Sequence, residues 1–299
     1  MTKGYTLVFF TAIISGAALY LNKFAVDVIN PYVFTGLKNL TVTMLLILLI
    51  LGLGKLAELK RLPRRQWGKL VLVGLVGGGL PFLLFFKGLS ISAATNGAFI
   101  HKTLFIWAAI LAIIFLKEKV SRWSYLGLAS LVVGLAIMMG IKPTGLNLGD
   151  GMILLATLLW SGEQIIAKKA LREVSPVLVA WGRLFFGFIV ILGFWLTTGQ
   201  HQLLTSLNMN QIGWVVFTAV LLLGYVMSWY SGLKRLPVTV ATSILTLGFP
   251  ITALLKLIID GQAFSLVQVG GLSLIIMGVV WVMIVNHQKA NNQIRQVRL

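Results

Sequence analysis

Apolar residues in this chain run on in long uninterrupted stretches. They cover approximately residues 5–26, 31–53, 67–87, 90–116, 122–140, 150–171, 176–198, 209–233, 237–259 and 264–286, with short polar segments between them. A helix rising 1.5 Å per residue needs about 20 apolar residues to cross the hydrocarbon core, whereas a barrel strand is about half that length and alternates polar with apolar positions. The stretches are continuous and of helical length, so the pattern predicts an all-α membrane protein with ten transmembrane helices. These spans and their loops use nearly all of the 299 residues and leave no length for a soluble domain. The first ten residues lead straight into the first stretch without a basic segment and a small-residue cleavage site, so the first helix is expected to stay in place.

The pattern also repeats. Pro31 is followed seven positions later by Lys38, and Pro176 seven positions later by Arg183. Glu118 and Gln262 each stand nine residues before a glycine, Gly127 or Gly271, and a further glycine follows seven later, Gly134 or Gly278. This divides the chain into residues 1–142 and 143–299, the second ending in a short cytoplasmic tail. Each half holds five apolar stretches, an odd number, so the second half enters the bilayer from the opposite side. Two inverted five-helix repeats are the expected arrangement, as in secondary transporters.

Composition agrees with a home in lipid: 58% of residues are hydrophobic, 11% are charged and the mean hydropathy is +0.96. The net charge of +18 raises the question of nucleic acid, and the positions of the 25 Lys and Arg residues answer it. With the N-terminus inside, 18 fall on the inner side, in and around the loops at 55–69, 117–122, 168–172 and 234–235 and at the two termini; only Lys87 and Lys142 fall outside. That asymmetry predicts cytoplasmic N- and C-termini in a cytoplasmic membrane and assigns the charge to anionic lipid, not nucleic acid. The absence of cysteine removes disulfides and thiolate metal sites. Trp67, Trp123, Trp195, Trp214 and Trp281 lie near helix ends, where interfacial tryptophan is favoured; Trp107 and Trp181 lie deeper and are expected to pack in the core.

The segments LLWSGEQIIAKKALREVSP (158–176), ILAIIFLKEKVSRWSYLGLASLVVGLAIM (110–138) and VQVGGLSLIIMGVVWVM (267–283) resemble the EamA family of the drug/metabolite transporter superfamily. The resemblance spans residues 5–286. It implies ten helices in two inverted repeats, no cofactor or metal, and transport, often export, of amino acids or other small metabolites. Helix 9 carries the family's mid-helix proline as Pro250, while the related stretch of helix 4 reads His101-Lys102-Thr103. The acidic residue after helix 4 is Glu118; its counterpart in the second half is Gln262.

Candidate chemistry rests on charges that lipid disfavours, since a cation at mid-bilayer costs about 2.5–3.5 kcal/mol on insertion scales. Lys23 and Lys256 lie near outer helix ends and can reach the interface. Lys38 and Arg183 lie deeper, in the outer and inner halves respectively, and are candidate gate charges. Glu163, at similar inner depth, is the expected partner of Arg183. Lys102 is twelve residues from Ser90 and fourteen from Leu116, too deep to snorkel, so it is expected to face a wet cavity, a partner or an anionic ligand group. His101 beside it is either a packed histidine or a proton-coupling group. Gly77-Gly78-Gly79-Leu80-Pro81 and Gly248-Phe249-Pro250 are expected to interrupt helices 3 and 9, with Gly79, Pro81, Gly248 and Pro250 at the breaks. Tyr20, Asn22, Gln164, Tyr225 and Trp229 are further candidate substrate contacts. Three scattered histidines and seven carboxylates give no catalytic or metal-binding spacing, and no phosphate-loop motif is present. The reading is therefore a gradient-driven transporter of a small polar metabolite with an anionic group. A channel, a membrane enzyme and a receptor-like scaffold are the alternatives. The partners are the metabolite and membrane lipids, with a homodimer left open.

Overall fold

The structure, a computed structural model, describes residues 2–92, 100–139, 147–261 and 263–298, and is nearly all helical, with no strand among them. Lys142, Gln262 and the 142/143 boundary lie outside the described residues, as do the side chains of Lys23, Arg295 and Arg298. The helices are α1 (Thr2–Val28), α2 (Pro31–Gly52), α3 (Leu56–Lys60), α4 (Arg64–Val73), α5 (Leu80–Ile91), α6 (Leu104–Leu116), α7 (Arg122–Met139) and α8 (Leu148–Ala170). They continue as α9 (Pro176–Thr198), α10 (Met209–Leu233), α11 (Val238–Leu245), α12 (Gly248–Asp260) and α13 (Leu266–Arg298). A π-helical turn, Gly74–Gly79, joins α4 to α5, and a 3₁₀ turn, Gln200–Ser206, precedes α10.

Among the described residues seven segments are long and apolar enough to cross a membrane: Thr2–Asn22, Pro31–Gly52, Arg64–Phe85, Pro176–Thr198, Met209–Leu233, Val238–Asp260 and Leu266–Lys289. The apolar helices Ile100–Leu116 and Arg122–Met138 are shorter. α8 has the length, but it carries Asp150, Glu163, Lys168 and Lys169. The chain is thus a helical, multi-pass membrane protein. Its outward faces are apolar, with Leu48, Ile114, Val220 and Ile258 all more than half exposed, as a lipid-facing surface requires.

Helix starts follow local chemistry. Asn30 accepts hydrogen bonds from the N–H groups of Tyr32 (3.0 Å) and Val33 (3.3 Å), and Pro31 occupies the first turn, where a missing N–H costs nothing. Asn147 with Asp150, and Asn208 with Gln211, form reciprocal capping boxes for α8 and α10. The cap of α9 comes from a residue distant in sequence, in the short helix α3: Glu58 accepts from the Ser175 N–H at 2.7 Å. Burial raises the pKa of Glu58, but the Lys55 ammonium at 3.0 Å and the Ser175 bond outweigh it and hold the carboxyl below its ordinary value.

α1 packs on α10 and on α11 and α12; α8 packs on α5 and α6. α2 and α9 pack on each other, as do α7 and α13. The α7–α13 seam is set by four glycines. A Cβ on Gly127 would sit 2.8 Å from the Gly278 carbonyl oxygen, and one on Gly134 would sit 2.7 Å from that of Gly271. Between these contacts the Ser130 hydroxyl donates to the Leu274 carbonyl at 2.8 Å. Close backbone approach through small residues is how helices adhere in lipid, where burial against a neighbour has no advantage over burial against acyl chains. Trp195, expected at the interface, is instead 2% exposed: its ring fills the space beside Gly36, whose absent side chain makes the room.

Candidate functional site

Two helices break at corresponding positions, Thr103 and Thr246, in the two halves of the chain. In Ile100–Leu116 the break falls at Thr103, whose N–H bonds to the Ile100 carbonyl (3.1 Å), three residues back instead of four, while Ile106 N–H bonds to the Thr103 carbonyl (2.9 Å). Between α11 and α12 the same pattern recurs: Thr246 N–H to the Ser243 carbonyl (3.2 Å) and Phe249 N–H to the Thr246 carbonyl (2.9 Å). Each threonine hydroxyl donates to the same carbonyl as its own N–H, at 2.6 Å in both cases. Threonine competes with the helical ladder in this way. Pro250 falls in the first turn of α12, where its missing N–H is tolerated. The break expected at Gly248–Pro250 thus lies just before it, and helix 4 breaks with no proline at all.

The third break, at the glycine triplet, is a π turn that ends where Gly79 leaves helical geometry and Pro81 starts α5. The carbonyls it frees are occupied: the Trp160 indole N–H donates to Gly77 O and the Asn39 amide to Gly78 O, both at 3.0 Å. A Cβ at Gly78 would lie 2.0 Å from the Arg183 carbonyl oxygen. The triplet therefore serves close packing against α9, with its carbonyls bound to protein groups.

Beside it lies a buried charge cluster. Arg183 Nη1 stands 3.7 Å from Glu163 Oε2, the Tyr230 hydroxyl donates to Glu163 Oε1 at 2.6 Å, and Arg183 Nη1 donates to the Tyr230 oxygen at 3.3 Å. Glu163 is fully buried and Arg183 is 8% exposed. Burying two charges is costly, and mutual attraction with a shared hydroxyl offsets that cost.

Trp160, three residues before Glu163 on the same face of α8, carries the cluster on to helix 4. Its ring centroid is 5.0 Å from that of His101, 5.4 Å from Phe85 and 5.3 Å from Phe82. His101 also meets Phe85 at 5.0 Å, and its Nδ1 is buried without a hydrogen-bond partner among the described residues. Lys102 points elsewhere. Its ammonium lies 5.7 Å from the ring of Phe249, at the α11–α12 break, and makes no ion pair or hydrogen bond among the described residues. One turn further along α8, Gln164 accepts from the Trp229 indole N–H at 3.0 Å, and Trp229 stacks on Tyr225 with centroids 6.4 Å apart.

The remaining candidates sit apart from this group. The Tyr20 hydroxyl donates to Asp260 at 2.6 Å, joining α1 to the end of α12. Asn22 accepts from Lys38 at 3.4 Å, and the Lys38 ammonium lies 4.6 Å from the Phe34 ring, with no carboxylate among the described residues. Trp181 is buried and stacked on Phe185 at 4.8 Å, as core packing requires.

At the end bearing the basic loops the starts of α11 and α9 are fully packed. Every residue of α11 from Val238 to Ile244 is buried, as are Val177 to Leu184 of α9. Glu118 accepts from the N–H groups of Val238 (2.6 Å) and Thr239 (3.1 Å), and Lys168 donates to the carbonyls of Leu233 (2.5 Å) and Leu236 (2.6 Å). By contrast α12, beyond the break, buries only Gly248, Pro250 and Ala253.

Comparison with known proteins gives this architecture a family. The EamA-like transporter family matches residues 2–140 and again residues 147–284. The chain belongs to that family. The EamA family is part of the drug/metabolite transporter superfamily, and this chain is a membrane transporter, not an enzyme. The "Uncharacterized transporter YyaM" of Bacillus subtilis is 25% identical over 286 residues, covering 92% of each chain. An uncharacterized transporter of Clostridium kluyveri is 23% identical, with 98% of this chain and 96% of its own covered. A solved crystal structure, 16% identical, superposes with a TM-score of 0.74 over 95% of this chain and 98% of its own, which establishes the shared fold.

Within this EamA-like fold the residues that join the candidate site and were not singled out from the sequence are Thr103, Thr246, Trp160, Phe249, Tyr230 and Asn39. Their sequence signals are weak: a threonine inside an apolar run and an aromatic residue in a helix are ordinary core features. Asn39 is the exception, an amide next to Lys38 in an otherwise apolar span.

Proposed function

We propose that this EamA-like transporter is a gradient-driven carrier that moves a small polar metabolite with an anionic group, such as an amino or organic acid, by alternating access through ten spans. The observation that carries the reading is the pair of matching helix breaks at Thr103 and Thr246–Leu247, with the unpaired ammonium of Lys102 at one and Phe249 of the other beside it. Interrupted helices at mid-membrane supply polar groups where lipid supplies none, and an unpaired cation there favours an anionic ligand.

Inverted repeats are supported by reciprocal packing. The glycines that face each other, Gly127 with Gly278 and Gly134 with Gly271, exchange places when 127 is exchanged for 271 and 134 for 278. The pairings of α1 with α10 and of α8 with α5 exchange in the same way. An inside N-terminus and C-terminus follow from the charge bias. With that orientation the packed basic end is the cytoplasmic gate, held by Arg183, Glu163 and Tyr230, and the site opens toward the outside. Lys38 then serves the outer half. Export is the direction that the family resemblance favours.

A thermal-shift screen of purified protein against small metabolites identifies the ligand, because binding to the folded state alone raises its stability. Uptake of a hit into proteoliposomes driven by an imposed ion or solute gradient, without nucleotide, supports the carrier. Uptake that runs without saturation, at a rate typical of a pore, contradicts it.

A further inference from the structure

Apart from the Glu163–Arg183–Tyr230 cluster, the chain has a polar cavity. A cleft of about 480 Å³ opens at the basic end between the loop after α6, the start of α7, the start of α11 and the end of α13. Lys117, Lys119 and Lys289 line it, together with Ser121, Ser124 and Asn286. Glu118 is the one acidic residue in the wall. Both of its oxygens are committed: Oε1 accepts from Val238 N–H at 2.6 Å, and Oε2 accepts from the N–H and hydroxyl of Thr239 at 3.1 and 2.9 Å. No lysine of the cleft has a carboxylate partner among the described residues. Lys289 donates to the Lys119 backbone carbonyl, a neutral acceptor that leaves its charge uncompensated.

Lys117 adds a second observation. Its φ of +54° is the only positive value at a non-glycine residue among the described residues. That conformation disfavours a lysine compared with glycine or asparagine, and such outliers concentrate where a ligand or a switch needs them. Here the left-handed turn ends α6 and puts Lys117 and Lys119 on the wall of one cavity.

The depth of the cleft identifies the surroundings. Trp123, 52% exposed, directly precedes Ser124, and Trp281, 43% exposed, donates to the Trp123 carbonyl at 2.8 Å. Phe115, 58% exposed, ends the apolar surface just before Lys117. Exposed indoles at the limit of an apolar band mark the headgroup level, so the cleft opens sideways at that level.

We propose that this cleft binds an anionic phosphate group, supplied by a phospholipid headgroup of the adjoining leaflet. Three ammonium groups neutralise the phosphate, while Ser121, Ser124 and Asn286 offer neutral hydrogen bonds. Binding there ties the loop after α6 to the ends of α11 and α13, so lipid composition sets the stability of that end of the bundle. The inference is independent of the transported substrate.

The test measures the unfolding temperature of the full chain in nanodiscs of phosphatidylcholine, with increasing phosphatidylglycerol or with free glycerol phosphate. Phosphatidylglycerol is expected to raise the temperature saturably. The variant K117Q/K119Q/K289Q is expected to lose this saturable rise over the same range of phosphatidylglycerol. The comparison variant K60Q/R64Q/R65Q, which loses the same charge from another exposed loop, should respond like the wild type. If the triple variant does not fold, K119E on an exposed side chain replaces it. A shift with glycerol phosphate as well supports the site and makes free phosphate sufficient; a shift with the lipid alone supports it and assigns the lipid. Equal losses in the cleft and comparison variants, or no shift in the wild type with either phosphate source, overturn the proposal.

Discussion

Thr103 and Thr246 make the same hydrogen bond at the same length: each hydroxyl donates at 2.6 Å to the carbonyl three residues earlier, Ile100 in one helix and Ser243 in the other. The two residues are 143 positions apart, close to the spacing of the prolines and glycines that reveal the repeat. Two breaks built alike in two halves of a chain point to one shared task. Thr246→Val keeps shape and removes one such bond, so it should lower stability by about 1 kcal/mol. Thr103→Val also removes the acceptor of the Trp107 indole N–H at 2.9 Å and should cost about 2 kcal/mol. The double variant should lose the sum within about 0.5 kcal/mol. Denaturation in mild detergent measures both, and a neutral result at either site removes its hydroxyl from the account of that break.

The Glu163–Arg183–Tyr230 cluster makes a different prediction, because its members are not independent. Arg183→Gln leaves Glu163 buried without its cation and should cost about 3–5 kcal/mol. Adding Glu163→Gln to that variant should restore part of the loss. Tyr230→Phe removes one donor to Glu163 and should cost about 1.5–3 kcal/mol, the range for a bond to a charged group. Strictly additive losses in the Glu163/Arg183 cycle would mean that the two charges do not interact.

Close packing at the glycine triplet can be tested by contrast with an open glycine. Gly78→Ala places a methyl group 2.0 Å from the Arg183 carbonyl oxygen and should destabilise by at least about 1–3 kcal/mol. Gly68 has nothing within 4 Å of a built Cβ, so Gly68→Ala should be stabilising by up to about 1 kcal/mol through helix propensity. Similar unfolding temperatures for the two variants would argue against the observed contact between the π turn and α9.

Orientation is open to direct labelling in a chain without cysteine. Arg64 and Gln202 are both exposed, one in the basic loop region and one at the opposite end. An impermeant thiol reagent added to intact cells should modify the Gln202→Cys variant and spare Arg64→Cys until the membrane is opened. The reverse pattern would turn the protein over.

The helical architecture was legible because a lipid solvent forces long apolar runs, and those runs dominate the sequence. The partner of Arg183 was also within reach: a buried arginine requires a carboxylate, and Glu163 was the candidate at similar depth. Rotation about each helix axis was harder to read. Tyr20 and Asn22 look like cavity residues in a linear sequence, yet they face Asp260 and Lys38. Trp195 looks interfacial by position, but Gly36 across the α2–α9 contact opens a pocket for its ring. The break at Thr103 was missed for a physical reason. Proline breaks a helix visibly by removing a donor, whereas threonine does so by offering a competing one, a choice that its neighbours decide.

Lys102 is the cation on which anion binding would depend. Its ammonium has no ionic partner among the described residues, and a lysine so far into an apolar stretch is expected to cost about 3 kcal/mol that a methionine would avoid. The most direct measurement is the unfolding temperature of wild type and Lys102→Met, each alone and with the anionic metabolites found to stabilise the wild type. Lys102→Met is expected to be at least as stable as wild type when unliganded and to lose the ligand-induced rise. A Lys102→Met protein that unfolds at a lower temperature while keeping the full rise with the same metabolites would contradict that role for Lys102.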